Sequence, residues 1–284
     1  MKKLLALVLG LVVAFSTMMF TACGSTIFDG NYSEATKEDL ATFAAEVAET
    51  SEIDYSTGTK IAYEAEMVFG DAEGTVTTKV KSEGITAKVG EATQMKASIE
   101  VSLSNTADAN VTTDIKADAY YNDGFVYTNA VSTIAGVETT AKVKTAETIE
   151  GFLGDNMEIT TDLADLLEEV ADFEEMGITG IKLYMDKGEE YTKIKVEVPE
   201  QTFSYSPMEG YSISGSAKME FVLVYNAQKQ VVAVKAFMDS QGTTTAGGAT
   251  MTSNQKVNCS IEPYSGSIEL PTDLDTYTLG ELPW

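Results

Sequence analysis

The side chains able to do chemistry are few in kind. The 284-residue chain has no histidine and no arginine, and all 19 of its basic residues are lysine. Without histidine, Ser-His-Asp and Cys-His nucleophilic machinery is excluded, and zinc and other transition metals lose their commonest ligand. Without arginine there is no planar fork for phosphate or carboxylate. Carboxylates, lysines, tyrosines and two thiols, Cys23 and Cys259, remain. The densest acidic group is Asp162, Asp165, Glu168, Glu169 and Asp172. Its spacing follows one face of a helix and lacks the glycine-turned loop of a calcium site, so it reads as a solvated face. Asp71-Ala72-Glu73-Gly74 and Asp186 to Glu190 read as turns before cation sites. Cys259 shares parity with Val257 and Ile261, which points it to an apolar side as an inert thiol. Tyr120, Tyr121, Phe125 and Tyr127 read as cross-strand packing ahead of a binding platform. No acid and base pair stands at a recognisable spacing. The chain is therefore expected to be non-enzymatic, with no cofactor and no metal.

Cys23 is the thiol with an address. Met1-Lys2-Lys3 carries two positive charges, and an apolar run follows from Leu4 to Phe15, fading through Phe20. A charged start, an apolar stretch and small residues make a secretory leader. Thr21-Ala22-Cys23-Gly24 closes it and resembles the lipobox of bacterial lipoproteins. That resemblance implies cleavage before Cys23, diacylation of its thiol, for example with palmitate, and retention on the extracytoplasmic face of the cell membrane. Two acyl chains hold a protein to a bilayer stably where one does not. An uncleaved membrane helix and an ordinary leader cut near Ala22 are the competing readings. Residues 1–22 are then the signal peptide, and 23–34, small and polar, a tether.

Charge limits the partners. The formal net charge is −25, and losing Lys2 and Lys3 with the leader takes it to −27. Such a chain repels nucleic acid and anionic lipid surfaces, so anchoring falls to the lipid. An acylated Cys23 leaves Cys259 without a disulfide partner.

The elements that must position these groups are written in hydrophobic period. Thr36 with Asp39 three residues on resembles a capping box, and Leu40, Phe43, Ala44, Val47 and Ala48 follow at helical spacing. Ile61 to Phe69, Met95 to Leu103 and Val111 to Ala119 alternate apolar with polar, the period of strands with one covered face. Weaker strands are expected over 75–89 and 137–143. Asp123-Gly124 supplies the positive backbone angles of a tight hairpin turn. Two helices are expected next, one on Ile149, Phe152 and Leu153, one on Leu163, Leu166, Leu167, Val170 and Phe173. Strands resume from Ile181 to Ile261, with turns at Asp186–Glu189 and Asn226–Gln230 and a flexible Thr/Gly loop from Gly242 to Gly248. The residues from Pro271 to Trp284 read as a surface tail.

Helices grouped in two places among hairpin-linked strands suggest an α+β domain over residues 35–270: a curved antiparallel half-barrel with helices packed on its concave face. Two smaller β domains divided near 145–177 are the other reading. The lipobox, the element order and the Tyr-Asn-Asp-Gly-Phe-Val-Tyr hairpin at 121–127 resemble the LolA-like and LppX-like lipoprotein superfamily over residues 35–262. That resemblance implies a hydrophobic cavity for acyl chains. The candidate lining residues are Met67, Phe69, Met95, Ile99, Leu103, Ile115, Leu166, Val170, Met219, Phe221 and Leu223, which serve equally as core. The expected function is a membrane-anchored lipoprotein that binds an apolar ligand. The alternative is a cell-envelope module that holds another protein by an acidic face or a sheet edge.

Overall fold

Runs of alternating polarity become unusually long strands. The structure, a computed structural model, describes residues 26–47, 58–89, 92–108, 112–146, 163–175, 178–208 and 210–280. Cys23, the leader and the helix expected at 149–154 lie outside the described residues. In chain order the elements are β1 (Ser33–Glu34), α1 (Lys37–Ala44), β2 (Thr59–Gly70), β3 (Thr75–Val89), β4 (Ala92–Asn105), β5 (Thr112–Asn122), β6 (Phe125–Ile134) and β7 (Val137–Ala146). They continue with α2 (Leu163–Glu175), β8 (Lys182–Lys187), β9 (Tyr191–Met208), β10 (Tyr211–Asn226), β11 (Val231–Ala246), β12 (Ala249–Pro263) and β13 (Thr278–Leu279).

Among the described residues all thirteen strands join one sheet, in the order β1-β8-β9-β10-β11-β12-β2-β3-β4-β5-β6-β7-β13. Every pairing is antiparallel except β13 on β7. β12 pairs with β2 through twelve residues, so the strands on either side of α2 in sequence form one sheet instead of two smaller ones. A sheet of thirteen strands at about 4.8 Å spacing is roughly 60 Å wide, a width at which strand twist accumulates into coiling.

The α+β expectation is overturned. Among the described residues the only α-helices are α1, of 8 residues, and α2, of 13, and they cover one end of a very large sheet. Amphipathic helices need an apolar surface, but the sheet does not need helices over all of its apolar face. The strands themselves supply a second core. Tyr63, Ala65, Val80, Ala236, Met238, Val257 and Cys259 form a buried cluster with no helix residue in it. The Gly242–Gly248 loop is corrected as well. Residues 242 to 246 are strand, in register with β10 and β12, and only Gly247 and Gly248 turn, at φ 57° and 87°. β-branched Thr243, Thr244 and Thr245 fit a pleated surface, which outweighs the flanking glycines.

Local chemistry sets the other boundaries. Asp123 and Gly124, at φ 49° and 77°, make the two-residue turn between β5 and β6, the twist-matched turn that Asp-Gly favours. Thr36 Oγ1 accepts from the Asp39 N–H at 3.1 Å, and the Asp39 carboxylate accepts from the Thr36 N–H at 2.9 Å. This capping box starts α1 and buries Leu40 and Phe43. On α2, Leu163, Leu166, Val170 and Phe173 are the buried face. The two helices pack with Met185, Ile194, Leu223, Tyr225, Val234, Ile261 and Ile61. Phe43 meets the Tyr225 ring edge-on at 5.1 Å.

Residues 26–34, read as tether, lie along the sheet. Ile27, Phe28 and Tyr32 pack on Val222, Val224 and Ala233, on the opposite side of β10 and β11 from the helices. Within the stretch read as tail, Thr278 and Leu279 form β13, with Tyr277 buried beside it.

Candidate functional site on the apolar face

Register makes one face of the sheet apolar nearly from edge to edge. Met185, Ile194, Leu223, Val234, Ile261, Ile61, Gly84, Ala97, Ala119 and Thr128 are successive cross-strand partners. A second row runs Leu183, Val196, Phe221, Ala236, Cys259, Tyr63, Ser82, Ile99, Ala117, Ala130 and Ala141. A third runs Val198, Met219, Met238, Val257, Ala65, Val80, Val101, Ile115 and Ser132. Side chains alternate faces along a strand, so in-register rows of one parity must share a surface.

The nine candidate residues on strands all lie on this face, but in different surroundings. Leu223 joins Leu166 and Val170 in the helix-covered core, where all three are buried. Those three hold the fold and line no open surface. Met95 is also buried. Met219 and Phe221 are half-buried against the strand-only cluster. Met67 and Phe69 sit half-buried on β2, and Ile99, Leu103 and Ile115 half-buried on β4 and β5.

Between β3 and β7 the face changes in relief. The first two rows there are mostly small: Gly84, Ala97, Ala119, Ser82, Ala117, Ala130 and Ala141, interrupted by Ile99 and Thr128. Larger side chains flank them, with Met95, Tyr121 and Val126 on one side and Val101 and Ile115 on the other. The result is a low floor about five strands or roughly 20 Å across at sheet spacing, in which Ser82, Gly84 and Ala130, like the flanking Met95 and Val126, are themselves buried, while Ala97, Ala117, Ala119 and Ala141 are half-buried. The alanines are visible in the sequence as the apolar parity of β4 and β5. Their meaning as a floor depends on neighbours tens of residues away, and no local signal announces it.

The opposite face is a lattice of charge. Lys218, Asp239, Lys256, Glu66 and Lys79 are successive cross-strand neighbours, with Lys79 to Glu66 at 3.1 Å and Lys218 to Asp239 at 3.5 Å. Glu64, Lys81, Glu100 and Lys116 make a second row. Alternating signs on adjacent strands attract, whereas like charges directly opposite would destabilise the pairing. Open hollows of about 420 and 370 Å³ on this side are lined chiefly by these residues and by Ser216, Gln241 and Asn254.

Two titratable groups on the apolar face, Cys259 and Tyr63, are unsuited to reaction near neutral pH. Burial pushes the Cys259 thiol up to about 12, so it stays protonated and weakly nucleophilic. Burial, with a smaller contribution from Cys259, raises Tyr63 to about 12. On α2, burial and the neighbouring Asp165 and Asp172 raise Glu169. Among the described residues no three Cys, Asp or Glu side chains converge as metal ligands. Tyr120, Tyr127 and Phe125 lie on the charged face, where Tyr127 packs against Phe125 and Tyr277. Tyr121 points to the apolar side as the partner of Met95.

No family model and no curated protein matches the chain. Among solved structures, it is similar to a DUF1329 family protein from Desulfovibrio piger, at 10% identity and a TM-score of 0.19, over 81% of this chain and 92% of the other.

Proposed function

We propose that the protein is a non-enzymatic lipoprotein, held on the extracytoplasmic face of the membrane by acylated Cys23, whose sheet takes up an apolar or amphipathic ligand. The observation that carries this reading is the apolar face between β3 and β7. Ile99, Val101, Leu103 and Ile115 are half-buried there, outside the helix-covered core. Apolar surface left in water is unfavourable at about 25 cal/mol per Å², and a ligand laid along these half-buried side chains recovers part of that energy. The strand ladder uses the backbone polar groups there, so the ligand's apolar part meets side chains alone.

Native mass spectrometry of protein released by mild detergent tests the proposal. A discrete added mass that organic extraction removes is the expected result. A bare mass under conditions that preserve known lipid complexes would refute it. Membrane attachment is tested separately: Cys23→Ala is expected to release the chain or halt its processing, and unaltered retention at unaltered mass would refute the anchor.

A further inference from the structure

The two edges of the sheet are finished differently. At one edge β8 is only six residues long, and β1 covers two of them. At the other, β7 is ten residues long, and among the described residues its outer edge is paired only at Val143 and Lys144, by β13. The two-residue turn at Ala135-Gly136 makes Ile134 and Val137 direct partners, so the odd residues of β7 bond to β6. Outward-facing groups on the even residues agree with this: Lys144 O accepts from Gly280 N at 3.4 Å and Lys142 O from Thr278 Oγ1 at 3.3 Å. Glu138 and Thr140 therefore also present backbone groups to the outside, as a row that an added strand could use.

β13 is a light cover. Asp273 binds Lys142 at 2.5 Å. Tyr277 packs edge-on against Tyr127 at 5.6 Å, with Lys142 Nζ 5.5 Å from its ring centre. Thr145 Oγ1 donates to Gly280 O at 3.1 Å. We propose that residues 273–280 are a detachable guard, and that β7, once uncovered, pairs antiparallel with β7 of a second copy of this chain. This does not depend on the ligand reading above.

Charge selects the occupant and its register. A symmetric pairing must set even residues against even residues, because those carry the outward groups. Centred on Ala141, it places Glu138 opposite Lys144 of the second copy twice over, with Thr140 opposite Lys142. Centred on Lys142, it would put that lysine against itself. The Ala141 centre is a non-hydrogen-bonded pair, with Cα atoms about 4.5 Å apart, within disulfide reach. The net charge of −25 holds copies apart at long range, a repulsion that physiological salt screens beyond about 8 Å.

The test uses the full chain at physiological salt, with analytical ultracentrifugation and hydrogen exchange. The unaltered protein is expected to be mainly monomeric. Tyr277→Ala and, independently, Asp273→Lys are expected to raise exchange in residues 137–146 and to yield dimers. Adding Ala141→Cys should then give an intermolecular disulfide. Adding Glu138→Lys to Tyr277→Ala should restore the monomer, and Lys144→Glu on top of that should return the dimer. A released β7 that exchanges faster yet stays monomeric would overturn the pairing. Unaltered exchange in both tail variants would overturn the guard. Far-UV circular dichroism confirms that each variant is folded.

Discussion

Ile115→Glu sets two neighbouring residues on one strand against each other. Ile115 sits half-buried on the apolar face between Val101 and Ser132, and Lys116 points the other way, 3.0 Å from Glu100. A ligand laid over the apolar face would cover the new carboxylate. Losing the isoleucine contact removes about 1.5 to 3 kcal/mol. Covering a carboxylate with hydrocarbon adds desolvation or forces protonation, again about 1 to 3 kcal/mol by protein measures. The sum, about 2.5 to 6 kcal/mol, lowers affinity about sixtyfold or more, since each 1.4 kcal/mol is tenfold. Lys116→Ala breaks an exposed pair instead, with 69% and 56% of the two side chains accessible, and costs under about 1 kcal/mol of stability. The assay is titration with a fluorescent fatty acid, with thermal unfolding as the control for fold. Ile115→Glu should bind more weakly by about sixtyfold or more, and Lys116→Ala should bind as the parent does. Equal effects of the two, or full binding by Ile115→Glu, would refute the assignment of the ligand to the apolar face.

Other expectations rest on separate observations. Cys259 should resist iodoacetamide at pH 8 in the native state and react once unfolded in urea; rapid native labelling would contradict its burial. Leu40→Ala and Val170→Ala, each at a site 1% exposed or less, should cost about 2 to 5 and 0.5 to 3 kcal/mol, read from urea unfolding. The Thr36 hydrogen bonds hold the Asp39 carboxyl below its ordinary range. A depressed folded-state pKa contributes stability above the unfolded value that is lost as pH falls through the folded value. Asp39→Asn should therefore narrow its stability gap from the parent as the medium is acidified below the ordinary aspartate range, and a constant gap would contradict this.

Much of the strand order along the chain was legible because one face of each strand is dressed for burial. Ile61 to Phe69 and Met95 to Leu103 alternate cleanly, and the structure pairs their parities without a slip. The strand-only cluster could not be read in this way. Tyr63 and Met238 are far apart in sequence, and only the β12–β2 pairing brings their strands close enough to share a core. The fold expectation failed at the helices: they pack with one buried cluster, and the other is made by strands alone. The Thr/Gly run at 242–248 misled because glycine was weighted above three β-branched threonines. Leu166, Val170 and Leu223 were legible as apolar but not as core distinct from lining, since that depends on which part of the sheet the helices occupy. The alanine floor was hidden for the opposite reason: a small side chain signals neither core nor ligand until its taller neighbours are known.

Photocrosslinking with a diazirine-bearing fatty acid, followed by peptide mapping, tests the central claim most directly. Labels on Ile99, Leu103 and Ile115, with none on Glu100 or Lys116, are the result expected of a sheet that binds apolar chains on its uncharged side. Labels confined to the charged face, or scattered equally on both, would contradict it.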